Sequence, residues 1–158
     1  MMRKGALLLE IVISLVILGM VSAVFFPAIV TLVKRSHQLK HAAVAAAILQ
    51  EGMEATYNVF LSGWSGWEEG VYHPVVVVGP GTKHWTLISG EETALETRFT
   101  RRLEISNICR NPRTGDIRPN CGNGESIDEY SRLVTETVIW SESGQTRQLT
   151  TSWVVAKI

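Results

Sequence analysis

The 158-residue sequence has no net charge: 15 Lys and Arg balance 15 Asp and Glu. It also lacks a basic stripe with interleaved aromatics, so nucleic-acid binding has no electrostatic footprint to stand on. Cysteine is nearly absent. Only Cys109 and Cys121 occur, and they do not have the CxxC spacing of a zinc or redox site. Catalytic signatures are missing as well. "GWSG" at 63–66 is not a GxSxG nucleophile elbow, and the acidic pairs Glu68-Glu69, Glu91-Glu92 and Asp128-Glu129 are adjacent residues that point apart on a strand or loop. Neither an enzyme nor a cofactor is expected. His37 and His41 stand one helical turn apart, but no carboxylate completes a site at useful spacing. They read as a solvated face, His73 and His84 read as packing or surface residues, and no metal is expected. Repeats and low-complexity tracts are absent too.

What the chain does have is one long hydrophobic run. From Ala6 to Val33 the sequence is apolar except for Glu10, Ser14, Gly19, Ser22, Pro27 and Thr31. Twenty-eight helical residues rise about 42 Å, more than the roughly 30 Å hydrocarbon core of a bilayer. The segment can therefore span a membrane. Glu10 is the anomaly, because an acidic side chain deep in a bilayer costs about 2.5 to 3.5 kcal/mol on insertion scales. No cation lies within the run, and Arg3 and Lys4 belong in the headgroups. Its partner must come from elsewhere. Gly19 and Pro27 weaken the helix, glycine by entropy and proline by removing a donor, which predicts a kink or a meltable stretch between them.

Beyond residue 33 the helical beat continues. Leu39, Ala42, Ala46, Leu49, Met53, Tyr57 and Phe60 recur at steps of three and four and predict one apolar stripe, with Lys40, His41, Gln50, Glu51 and Glu54 opposite. One helix is expected over residues 6–61, apolar all round to 33 and amphipathic over 34–61. Strand patterns follow at 74–78, 84–88, 96–108, 131–140 and 146–155, the last two closing as a hairpin over "SESGQ". The fold class is α+β: a long N-terminal helix, then a small antiparallel sheet domain over 62–158. Between the third and fourth strands, residues 109–130 are too rich in Asn, Pro and Gly for regular structure. A Cys109–Cys121 disulfide closing the 109–121 loop in an oxidising compartment is one reading of the two cysteines, and two unpaired structural thiols is the other. The first puts the C-terminal domain outside the cytoplasm. Trp64 and Trp67 read as exposed binding aromatics, interface anchors or helix-to-sheet packing.

The N-terminus resembles a known family. A short basic leader ending in Lys4-Gly5, then Ala6, an apolar run, and Glu10 as the fifth residue of that run, is similar to the prepilin processing site of type IV pilins and type II secretion pseudopilins. The resemblance implies a pilin-like fold, a leader of residues 1–5 cut after Gly5 by a prepilin peptidase, and an N-methylated Ala6. It implies that Glu10 serves methylation or assembly, and it matches Pro27 to a helix-kinking proline. Mature pilins usually begin with Phe, so Ala6, and "ALLLE" in place of "FTLIE", favour a minor pilin or pseudopilin. The implied partners are other pilin or pseudopilin subunits, the peptidase, and the membrane before assembly. The implied location is the cytoplasmic membrane, single-pass with the C-terminal domain extracytoplasmic, and afterwards a cell-surface (fimbrial) or periplasmic filament. Three other readings stand beside it. "VSA" at 21–23 resembles a secretory cleavage site, the run can be a plain anchor, and the chain can be a membrane-anchored extracytoplasmic binding or adhesion module.

Overall fold

A computed structural model describes the backbone of residues 3–63 and 68–156, and within them the side chains from residue 8 onward. The elements are helix α1 (Arg3–Ser62) and strands β1 (Gly70–Gly79), β2 (Thr82–Ser89), β3 (Glu92–Leu95), β4 (Phe99–Arg110), β5 (Ile117–Arg118), β6 (Ser126–Glu142) and β7 (Gln145–Ala156). The class is α+β, as expected. The chain divides into two compact units, Met1–His41 and Ala42–Ile158.

The first unit is helix alone. Its assignment runs unbroken through Gly19 and Pro27, and the Thr31 hydroxyl donates to the Pro27 carbonyl at 2.8 Å. From residue 8 to residue 40 every side chain except the half-buried Ser22 is exposed. The helix is long and apolar enough to cross a membrane.

In the second unit, one antiparallel sheet of seven strands lies against residues 42–62 of α1. Its order is β2-β1-β4-β6-β7, with β3 and β5 pairing β4. The β6–β7 hairpin turns on Ser143 and Gly144, both at positive φ (52° and 75°), the two-residue geometry that suits the strand twist. Alternation sorts the faces. Phe99, Arg101, Leu103 and Ile105 on β4 and Val134, Glu136, Val138 and Trp140 on β6 point towards the helix and are buried. Hydroxyl pairs Thr135–Ser152 and Thr137–Thr150 line the opposite, wetter face. A bulge between Asn107 and Cys109 breaks the alternation, so that Ile108 and Cys109 are both buried.

The core forms two clusters. Ala45, Ile48 and Leu49 pack with Phe99, Val138 and Trp140, while Val59 and Phe60 pack on Leu103, Ile105, Val134 and Val155. The helical stripe differs from expectation. Leu39 is 71% exposed, Met53 39% and Tyr57 54%, and the buried face is instead Ala45, Ile48, Leu49, Gly52, Ala55 and Thr56. Counting large apolar side chains rotated the stripe towards one flank. Alongside Ile48 and Leu49, the contact face carries the small residues Ala45, Gly52, Ala55 and Thr56, which let the helix backbone come close to the sheet. Strands β3 and β5 also went unforeseen: the third strand begins at Phe99 rather than 96, because residues 96–98 form a turn, and β6 starts at Ser126, inside the expected loop.

Gly52 is the closest point of that approach, since a Cβ there would overlap the Glu136 carboxylate. Gly52→Ala should therefore destabilise the domain by about 1 to 3 kcal/mol through overpacking, although alanine is the better helix former by about 1 kcal/mol. In a Glu136→Ala background the same change should be neutral or stabilising. Thermal melts of the four chains measure this, and an equal loss in both backgrounds would refute the contact.

Candidate functional site

Four places carry unusual chemistry. The first is the N-terminal helix. Glu10 lies exposed on it among Leu8, Leu9, Ile11, Val12 and Ile13, which are exposed as well. Ser14 follows one turn later, and Ile11, Leu15 and Leu18 complete a shallow depression around the carboxylate. No cation is paired with Glu10 among the described residues. Gly5 and Ala6 fall in the first turns of α1, before the described side chains begin. Trp64 and Trp67 lie outside the described residues.

The second place is the loop after β4. Cys109 and Cys121 are bridged, with their Cα atoms 5.1 Å apart. Cys109 reaches the bridge from the bulge, opposite Ile127 on β6. An ion pair flanks it: Arg110 Nε donates to Asp128 Oδ2 at 2.7 Å, and Asp128 Oδ1 accepts from the Tyr130 N–H at 2.9 Å. Burial works to raise the Asp128 pKa, but the hydrogen bonds from Tyr130, Arg110 and Ser131 and the Arg110 charge outweigh it and hold the carboxyl below its usual range. Bridge and ion pair together anchor both ends of a loop that has little core of its own.

The third place is the seam under the helix, where two buried ionisable side chains, Arg101 and Glu136, lie close to the more exposed Glu51 and Glu92. Arg101 is 2% exposed. Its Nε and Nη2 donate to Glu92 Oε2 at 3.0 and 2.5 Å, and its Nη1 lies 3.7 Å from Glu51 Oε1. Glu136 is wholly buried, and neither of its oxygens has a hydrogen-bond partner among the described residues. Burial pushes its pKa up to about 8, the Arg101 charge pulling it down and the Glu51 charge adding to the rise. At neutral pH it is mostly the uncharged acid. The strand patterns at 96–108 and 131–140 contain Arg101 and Glu136 but assign them no role. The signal was there: each sits at the core-facing parity of its strand, flanked two residues away by apolar side chains.

The fourth place is a groove of about 810 Å³ between α1 and the last strand, lined by Leu49, Met53, Tyr57, Leu61, Trp153 and Val155 among others. Of these, Met53 and Tyr57 are residues that the expected stripe had placed in the core. Beside the groove, the outer edge of β7 has no strand partner among the described residues.

His37 is exposed on α1 and His84 on β2, while His73 Nδ1 lies 3.0 Å from the Gly90 carbonyl. Among the described residues, no three His, Cys, Asp or Glu side chains group to hold a metal ion. The chain matches no protein-family model, no curated protein and no solved structure.

The buried acid predicts a pH dependence. Because the folded pKa of Glu136 lies above the unfolded value of 4.5, the folded chain holds a proton that the unfolded chain has released. Stability contributed by that proton is full below about pH 4.5 and is lost as pH rises towards 8, by about 1.4 kcal/mol per unit. Glu136→Gln should flatten this slope, which unfolding midpoints measured from pH 5 to 9 would show. Parallel profiles for parent and variant would contradict it.

Proposed function

We propose that the chain is a pilin-type filament subunit, a minor pilin or pseudopilin. In this reading the leader is removed after Gly5, Ala6 becomes the methylated N-terminus, and the apolar helix passes from the membrane into a filament core. The observation that carries it is Glu10, an exposed acidic side chain in the apolar, almost wholly exposed stretch of α1, placed five residues after a basic leader ending in Gly5. Cleavage would create an α-amino group on Ala6. In a staggered bundle of such helices, the amine of one subunit meets Glu10 of its neighbour inside an apolar environment, where the attraction is strong and an unpaired charge is heavily penalised. The pair then fixes axial register between subunits. The disulfide supports an oxidising, extracytoplasmic location for the sheet domain. One observation favours a second reading, a membrane-anchored binding module: the apolar groove beside β7 is large enough to hold a ligand.

Glu10→Leu separates the two. It makes the helix more apolar, so membrane insertion should be undiminished, and the bond after Gly5 is untouched. Incorporation into filaments should fall sharply, since the neighbour's buried amine would lose its partner at a cost of about 3 to 5 kcal/mol. The ratio of variant in sheared filaments to variant in membranes measures this. A ratio equal to the parent's would remove Glu10 as an assembly determinant.

A further inference from the structure

Two edges of the sheet are built differently. Proteins usually blunt a free edge with charge, proline or a bulge, because its unpaired N–H and C=O groups template another strand. The β7 edge has none of these at the groove: residues 148–156, "QLTTSWVVA", carry no charge and no proline, and the pairing with β6 runs twelve residues without a register shift. Above that edge, α1 presents Met53, Tyr57 and Leu61, the last 58% exposed. The groove thus lies along a strand edge that has no partner among the described residues, where one more strand can add.

The opposite edge supplies such a strand. β1 pairs with β4 only at Gly70, Val71 and Tyr72, but with β2 over eight residues. The end of the β1–β2 hairpin therefore projects from the sheet as a two-stranded arm, with Val76, Val77 and Val78 exposed, the last by 69%. A ribbon of two strands is marginal in water without further cover. On its outer strand, Lys83 and Trp85 share the face of Leu87, which packs in the helix-side core cluster.

We infer that the β1–β2 arm of one copy adds to the β7 edge of a second copy, with Lys83 facing Glu54 and Trp85 seated in the groove. Direction fits. Every step from β2 through β1, β4 and β6 to β7 is antiparallel, and four reversals leave β2 and β7 pointing the same way. A second copy added in the same orientation sets β2 parallel to β7 and keeps both helices on one side of a continued sheet. Spacing fits too. α1 runs along β7 in the same direction, since Ala45 to Leu49 lie over Trp140 and Val138, the neighbours of Arg147 and Leu149, while Val59 and Phe60 lie over Val134 and Val155. Two strand residues rise about 6.6 Å and four helical residues about 6 Å. With Lys83 level with Glu54, Trp85 comes level with the gap between Tyr57 and Leu61. Charge decides between this contact and its rivals: the helix flank that lines the groove carries one acid, Glu54, and the arm is basic, with Lys83. Pairing β7 with β7 would set Glu54 against Glu54. The contact is heterologous, so it propagates copy to copy rather than closing a pair. It goes beyond the filament reading, because two anchored chains with uncut leaders can make it.

The test uses the full chain in phospholipid vesicles, where the native cysteines are already bridged. Chains carrying Glu54→Cys and chains carrying Lys83→Cys are mixed and treated with a short bismaleimide. The mixed 54–83 adduct should exceed either homodimeric adduct, because the proposed register brings positions 54 and 83 together and holds like positions apart. Charge reversal provides the second arm: Glu54→Lys or Lys83→Glu alone should weaken self-association by about 5-fold, the ratio that about 1 kcal/mol gives, and the double reversal should restore it. A dominant 54–54 adduct would mean β7-to-β7 pairing, a dominant 83–83 adduct arm-to-arm pairing, and no adduct no contact at this edge; each overturns the inference. Leader cleavage and filament yield play no part in the readout, so their failure would be seen separately.

Discussion

The apolar stretch of α1 over residues 8–33, whose described side chains are almost all exposed, needs cover from outside, and the rest of the molecule follows from that requirement. Residues 8–40 of α1 expose almost every side chain. Lipid can cover them, and so can other helices of the same kind. Lipid alone leaves Glu10 without a partner at a cost of a few kcal/mol, whereas a bundle of helices with free N-terminal amines offers it one. The apolar residues thus permit two environments, and the single carboxylate separates them.

The same helix changes character when it reaches the sheet. Over residues 42–62 it buries small residues, Ala45, Gly52, Ala55 and Thr56, and so approaches closely enough for Glu136 to be enclosed against its backbone. That enclosure is costly for an anion, and the protein meets the cost by keeping the acid largely protonated and setting Arg101 nearby, itself held by Glu92. A buried charge cluster of this kind is weak evidence for stability. Its effect here is to make the helix–sheet contact sensitive to pH and intolerant of a methyl group at one position.

Element types were legible because their signals are long: an apolar run over 6–33, helical spacing from Leu39 to Phe60, and β-branched and aromatic runs in the long strands β4, β6 and β7. The Cys109–Cys121 pairing was legible because two cysteines flank a loop rich in turn residues. The helical face was not, because hydrophobic periodicity weighs large side chains, and this interface selects small ones. Met53 and Tyr57 consequently looked like core and prove to be groove wall. Short strands such as β5, two residues long, carry no period to read. Glu136 and Arg101 occupy core-parity positions in plain view, yet a parity rule assigns them no role until the opposing helix backbone is known. The prepilin-like signature at Gly5, Ala6 and Glu10 lies wholly in sequence, and the fold adds to it only the exposure of Glu10.

The claim that this is a filament subunit stands on the N-terminus, and the intact mass of the native chain isolated from its own cell tests it most directly. Processing as proposed gives a chain that begins at Ala6 and carries one methyl group on its α-amine. A chain that retains Met1 to Gly5, or one cut after Ala23, would contradict the account.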